Sequence, residues 1–271
     1  MNTFDKDTAV SKQAEGLYTA SLPESWNVIL GPNGGYLMAI VLRAMRDTVA
    51  DDSRVPRSLT IHYLSVPGNE SLEIRTTVER AGRSMTTVSV RFLQGERLIG
   101  IGTGAFAKPR EGIVEFNDMP MPETPAAEAL EPYHPFGQGH GPIFLKHYEF
   151  RRTMGDEAFS GGERALTGGW IRLSDHRRPD ALSVAAITDC WPPAFFVRSK
   201  MPVPAPTIDL TVHFRTDIDA LQLPDDAWVH ARFETRYAHE GYIEEDAVIW
   251  AEDGTVLAHS RQLGLCEPLK R

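Results

Sequence analysis

GPNGGYLMAIVLRAMRDTV, residues 31–49, decides how this chain is read. Its proline and glycines make a turn, and Asn33 stands where a helix N-cap is expected. The helix that follows is apolar nearly all round as far as Leu42, with polar residues only from Arg43 onward. Such a helix is buried on both faces. Strand signals come next. Leu59, Ile61 and Tyr63 alternate with polar residues, and so do Leu72, Ile74, Thr76 and Val78, then Val88, Val90 and Phe92. Turns at Pro67-Gly68-Asn69, Ala81-Gly82-Arg83-Ser84 and Gln94-Gly95 separate them, and Leu98–Ala107 closes the set. The pattern predicts one buried helix followed by a four-strand antiparallel meander.

Residues 108–142 are rich in proline, glycine and acidic residues, lack periodicity, and read as a linker. The first pattern then returns. Ile143–Phe150 and Trp170–Leu173 read as short strands, and Ala181–Lys200 as a second apolar helix. Ile208–Phe214 and Val229–Thr235 alternate, and Asp246–Trp250 and Val256–Leu265 flank the turn Asp253-Gly254. A shift of 159 residues carries Gly82 to Gly241, Gly95 to Gly254 and Thr103 to Gln262. A shift of 151 carries His62-Tyr63 to His213-Phe214, and one of 156 carries Asn33 to Asp189. A repeat this long implies duplicated units, not a solenoid. One sheet with one helix covers only one face, so two such units are expected to join edge to edge into one extended sheet around two central helices. This is an α+β double hotdog, with units at 1–107 and 143–271 and the linker at 108–142.

Composition bounds the rest. The 271 residues are 42% hydrophobic and 24% charged, which is ordinary globular composition. The net charge of -9 disfavours nucleic acid and anionic membranes as partners. Two cysteines, Cys190 and Cys266, make no disulfide framework and suit a reducing compartment. MNTFDKDTAVSKQ has no apolar core of a signal peptide, and the longest apolar run, Tyr36–Leu42, is far below the ~20 residues of a membrane helix. A soluble, cytoplasmic protein is the expectation.

The stretches GPNGGYLMAIVLRAM, RSLTIHYLSVPG with VERAGRSMTTVSVRF, PTIDLTVHFR and EEDAVIWAEDGTVLAHSRQLGL resemble the acyl-CoA thioesterase II family of double hotdogs. They span residues from about 26 to 266. The resemblance implies hydrolysis of an acyl-CoA by a water held by an Asp, a Thr or Ser and a Gln. It places these at Asp189 in AAITDCW, at Thr207 before IDLTVHF, and at Gln262 in HSRQLGL. It puts Asp189 at the start of the second helix, where an Asp is also an ordinary N-cap. Asp189 alone of the three ionises near neutrality, so it is the candidate base; Thr207 and Gln262 can fix the water without adding charge.

An oxyanion hole is expected at a helix start, either Gly34-Gly35 or Asp189-Cys190. Gly34 and Gly35 would let a thioester approach the backbone. Asn33 is expected to be a cap and, with Gly34 and Gly35, is a candidate substrate-binding residue. Tyr36, Met38 and Trp191 are candidates for an acyl channel and equally good core, and Arg83 for a contact to a CoA phosphate. The first-half matches of the catalytic set, Asn33, Pro56 and Thr103, do not reproduce it, so one site per chain is expected. No metal or cofactor is implied, and a homodimer is a reasonable expectation because hotdog edges and faces often pair.

Competing motifs are weaker. Gly100-Ile101-Gly102-Thr103-Gly104 has no helix after it, and His134, His140 and His147 lack a metal-ligand partner at a suitable spacing. No G-x-S-x-G elbow occurs, and Cys190 reads as a buried helix cysteine. Two other functions stay open: a hotdog hydratase or dehydratase, which needs a His–carboxylate pair, and a non-catalytic acyl-CoA-binding module.

Overall fold

Capping and burial build the first helix as its sequence predicts. The Asn33 side chain accepts the Tyr36 N–H at 2.9 Å, and Tyr36 to Leu42 are each at most 2% exposed. The helix ends at Ala50, which turns left-handed at φ 48°. A computed structural model describes residues 1–29 and 31–266 of the chain. Its helices are α1 (Thr3–Asp7), α2 (Gly34–Val49) and α3 (Ala181–Ile187). The first-half strands are β1 (Ser11–Ala14), β2 (Leu17–Ala20), β3 (Val55–Tyr63), β4 (Leu72–Ala81), β5 (Met85–Gln94) and β6 (Arg97–Ala107). The second half carries β7 (Tyr148–Met154), β8 (Leu166–Leu173), β9 (Thr207–Phe214), β10 (Val229–Glu234), β11 (Ala238–His239), β12 (Tyr242–Ala251) and β13 (Val256–Leu265).

Among the described residues thirteen strands form one sheet in the order β1-β2-β4-β5-β6-β3-β9-β13-β12-β10-β8-β7, with β11 on β12. Each half therefore runs from an outer strand pair to a seam strand, and the two seam strands, β3 and β9, join the halves. The two helices α2 and α3 pack on each other against this sheet. The fold is an α+β double hotdog. Among the described residues no helix is long and apolar enough to cross a membrane.

At the seam Thr60 pairs with Thr211, their hydroxyl oxygens 2.9 Å apart. This is the 151-residue shift read from the sequence, and it marks the pseudo-twofold centre of the sheet. The partners on either side of it define structural counterparts. Leu59 pairs with Gly104, which pairs with Val88. Its counterpart Leu210 pairs with Gln262, which pairs with Glu245. The first-half counterpart of Gln262 is thus Gly104, one residue from the Thr103 expected, and Thr103 is an exposed residue of β6. A side chain at Gly104 would meet the Met45 sulfur of α2 at 3.0 Å, so the helix fills that place.

Three further expectations are corrected. The first-half strands are not a meander, because β3 pairs with β6 and not with β4. The β4–β5 and β5–β6 turns are short enough for hairpins, whereas the longer 64–71 connection lets the chain cross the sheet. Residues Ile143–His147 form a 3₁₀ turn, and the strand starts only at Tyr148. The second helix stops at Ile187, and 3₁₀ geometry resumes at Ala194–Val197. Pro192 has no N–H to give, and its ring would clash with the carbonyl four residues back if the helix continued. Residues 108–142 contain no strand. Trp250, Trp170 and Trp228 donate from their indole N–H groups to Met119 O, Pro125 O and Glu128 at 2.8, 2.8 and 3.0 Å, strapping the segment onto the second half.

The N-cap of α3 is Asp180, in a capping box with Ser183. Arg177 holds the same carboxylate at 2.7 Å and reaches Asp5 at 2.9 Å, so α1 is tied to the start of α3. Asp180→Ala is expected to lower unfolding free energy by about 1–2 kcal/mol, shown by a lower urea midpoint at unchanged slope. An unchanged midpoint would mean the cap contributes nothing here.

Candidate active site

Asp189 lies two residues beyond the last residue of α3 and is not the N-cap expected of it. Its carboxylate instead reaches across to the N-terminus of α2. Oδ2 accepts the Gly35 N–H at 2.9 Å and the Asn33 side-chain N–H at 3.1 Å, and the Gly34 N–H also donates to the carboxylate. The Asn33 amide additionally donates to the Asp189 carbonyl at 2.8 Å. Asn33 and Asp189 are therefore direct partners, and the N-cap that corresponds to Asn33 in the second half is Asp180. Asn33 caps α2 with its oxygen and holds Asp189 with its nitrogen. Burial pushes the Asp189 carboxyl up to about 6, against the N–H donors that favour its charge. The helix dipole favours that charge too. The group is ionised at neutral pH yet basic enough to take a proton.

This packing explains the two glycines. A side chain at Gly34 would stand 2.8 Å from Asp189 Oδ2, and one at Gly35 would stand 2.4 Å from the Ala186 carbonyl. The space beside them is filled by Asp189 and the end of α3, not left open for a thioester. The α2 donors considered for an oxyanion hole are engaged by Asp189 and Asn33, and Asp189-Cys190 is not a helix start. Tyr63 closes this side, its hydroxyl donating to the Gly34 carbonyl at 2.7 Å.

Thr207 begins β9 and Gln262 lies on β13, and the structure brings them together. The Thr207 hydroxyl donates to Gln262 Oε1 at 3.0 Å. The Gln262 amide donates to Glu245 Oε1 at 2.8 Å, and Glu245 Oε2 accepts the Ala194 N–H at 2.5 Å. Glu245 is 2% exposed and Gln262 6%. Burial pushes the Glu245 carboxyl up to about 7, and the nearby charge of Asp189 adds to the rise. Glu245 is the functional candidate that sequence reading missed, because the strand was begun at Asp246. The signal was present: Glu245 shares its face of the strand with Ile243, Ala247 and Ile249, all buried.

The other candidates are placed as follows. Tyr36 is fully buried, stacked on Trp26 with ring centroids 4.6 Å apart, and donates to the Asp7 carbonyl at 2.6 Å. Met38 is likewise core. Trp191 is buried, with its indole N–H on Thr167 at 2.6 Å. Arg83 is exposed in the β4–β5 turn, which contributes none of the partners of Asp189 described above. Cys190 is buried and donates to the Ile187 carbonyl at 3.1 Å; burial pushes its thiol well up, which suits an inert core cysteine. His134 and His140 are exposed, His147 stacks on Trp26 at 3.9 Å, and no metal-binding cluster occurs among the described residues. Two surface clefts of about 410 and 550 Å³ open beside α1, and neither is lined by Asp189, Thr207, Glu245 or Gln262. The convergent buried polar groups mark the site better than these clefts do.

The fold and these residues define a double hotdog with a half-buried carboxylate at the interface of its halves. Residues 22–107 match the model of the acyl-CoA thioesterase N-terminal domain and residues 121–266 that of the acyl-CoA thioesterase C-terminal domain, so the chain belongs to the acyl-CoA thioesterase family. It is similar to an uncharacterized protein of Mycobacterium tuberculosis, 22% identical with 92% of this chain and 90% of the relative covered. Among solved structures it is similar to a conserved hot dog protein from Alicyclobacillus acidocaldarius, at 23% identity and TM-score 0.89 with both chains fully covered. It is also similar to the acyl-CoA thioesterase II TesB2 from Mycobacterium marinum, at 17% identity and TM-score 0.75 with 98% of each chain covered. At these identities the two structures share the fold.

Proposed function

We propose that this chain hydrolyses an acyl-CoA thioester to the free acid and CoA, with the water held by Asp189, Thr207 and Gln262. The observation that carries the reading is Asp189: a carboxylate gathered onto the N-terminus of α2, with the Thr207–Gln262 pair on the neighbouring strands. The water oxygen attacks the thioester carbonyl carbon while Asp189 takes a proton from it. The tetrahedral intermediate then collapses, the C–S bond breaks, and the leaving thiolate takes the proton back from Asp189. Thr207 and Gln262 orient the water without adding charge. We place the reacting residues in the second unit, residues 143–271, with Asn33, Gly34 and Gly35 of the first unit completing the site.

A hydratase would use a histidine–carboxylate pair. Among the described residues, pairs such as His62–Asp209 at 4.0 Å and His176–Glu149 at 3.4 Å have histidines 49% exposed in their side chains. The supporting observations therefore favour hydrolysis. The test is release of free thiol from acetyl-, octanoyl-, palmitoyl- and benzoyl-CoA, with hydration of crotonyl-CoA followed in parallel. Hydrolysis of at least one member, slowed by about 10²-fold or more in Asp189→Asn, is expected. Tight acyl-CoA binding without turnover by the wild type, or hydration of crotonyl-CoA alone, would refute the reading.

A further inference from the structure

We infer that Glu245 is a positioning residue of this site: it fixes which way the Gln262 amide faces, and thereby what the Thr207 hydroxyl offers to the water. The inference rests on the proposed hydrolytic role of Asp189, Thr207 and Gln262.

A carboxylate only accepts hydrogen bonds, whereas an amide has one donating and one accepting end. Glu245 Oε1 lies 2.8 Å from the Gln262 nitrogen, so the NH₂ end of the amide is drawn to Glu245. The amide oxygen must then face the other way, where it accepts the Thr207 hydroxyl at 3.0 Å. Thr207 is thereby committed as a donor within the protein, and its lone pairs remain to accept from a water. Protonation of Glu245 removes this constraint. The neutral acid can donate to the amide oxygen once the amide has turned over. The NH₂ end then donates to Thr207, and the threonine hydrogen is released toward the water. The same atoms present the opposite polarity.

The repeat supplies an internal comparison. Where the second half has Glu245 paired with Gln262, the first half has Val88 paired with Gly104. The sheet is therefore built at that place without a polar pair, and a buried carboxylate there brings a desolvation cost that folding does not require. The Ala194 N–H is available to hold Glu245 because Pro192 and Pro193 interrupt the helix before it. The charged groups that bear on Glu245 among the described residues are Asp189 and Glu244, and both favour its protonation, as does burial.

The experiment uses the full chain. Steady-state hydrolysis of the fastest member of the acyl-CoA panel is measured from pH 5 to 9 for the wild type, Glu245→Gln, Gln262→Leu and the double variant. Glu245→Gln is expected to lower kcat about 10- to 100-fold, the size of a lost charged hydrogen bond, and to leave KM within about threefold. The wild-type acid limb is expected to fall with two protons, and that of Glu245→Gln with one. In the Gln262→Leu background, Glu245→Gln is expected to add less than about twofold, since Glu245 acts through Gln262. Wild-type kcat in Glu245→Gln, a two-proton limb surviving the substitution, or a full independent loss in the Gln262→Leu background would each overturn the inference.

A second measurement on the wild type depends on neither turnover nor the folding of a variant. The Gln262 side-chain NH₂ resonances are expected to shift with pH between about 6 and 8, following the Glu245 carboxyl. Resonances that stay fixed over that range overturn the inference even if the protein is an active thioesterase. Resonances that shift in a chain that hydrolyses no acyl-CoA would support the Glu245–Gln262 coupling and refute only the hydrolytic reading.

Discussion

Asp189→Asn is expected to cut kcat for acyl-CoA hydrolysis by about 10²- to 10⁴-fold, the range for losing a positioned general base. The substitution is nearly isosteric, so the fold and KM are expected to change little. The asparagine oxygen can still accept from Gly35, but it cannot take a proton. Because the Asp189 carboxyl sits at about 6, wild-type hydrolysis should fall as the pH drops below that value. Residual activity in the variant should lack that step.

Stability moves in the opposite direction. A carboxyl raised above its unfolded value of about 3.9 contributes stability fully below that pH and loses it as the pH rises through 6. The wild type therefore carries an ionised, partly desolvated group at pH 8 that the variant does not. Asp189→Asn should melt at the same temperature as the wild type or higher at pH 8. A variant of undiminished kcat, or one that loses activity only because it unfolds, would remove Asp189 from the chemistry.

Gly35→Ala is expected to impair both folding and turnover. The added carbon would stand 2.4 Å from the Ala186 carbonyl oxygen and 3.0 Å from the Asp189 Cβ, closer than non-bonded atoms approach. Helix propensity favours alanine by about 1 kcal/mol, but relieving this overlap means moving the start of α2 away from α3, at a cost of about 1–3 kcal/mol or more. The carboxylate held by the Gly35 N–H moves with it. A misplacement of ~1 Å costs about 100-fold in rate when a reacting group must be positioned. Calorimetry and thiol release on the same preparation check both parts. A variant with the melting temperature and kcat of the wild type would show that the α2–α3 contact yields to the added carbon without cost.

Long periodic elements were legible in the sequence, and interruptions and long-range partners were not. The buried helix after Asn33 and the alternation in β3 to β6, β9, β10, β12 and β13 reflect burial of one face, which composition records directly. The 151-residue shift relates β3 to β9, and the structure shows that these two strands pair with each other about a twofold centre. The end of α3 was misread because its apolar run continues past Ile187, and the proline pair outweighs hydrophobicity in deciding where a helix stops. Asp189 is not the cap of its own helix, a place that Asp180 takes. Its donors, Asn33 and Gly35, lie more than 150 residues away, and no local pattern encodes such a contact. Gln262 was matched to Thr103 by turn glycines, and strand register moved the match to Gly104. Glu245 was overlooked although its phase in β12 was readable, since a carboxylate in an inward position looks like an error in alternation until its partners are known.

The joining of Asp189 to Asn33 and Gly35 places one half of the site on each repeat. In an assembly of two separate chains, such a site would exist only while the chains were associated, and its occupancy would fall on dilution. Here both halves lie on one polypeptide, so the site assembles in a unimolecular step at a fixed effective concentration set by the strap between them. The same covalent link releases the halves from having to be identical. A symmetric pair would have to carry the same residues at both ends, whereas this chain has Val88 and Gly104 in one repeat where it has Glu245 and Gln262 in the other. Fusion thereby frees the two repeats to differ, Asn33 and Gly35 donating from one while Asp189 and Glu245 stand on the other.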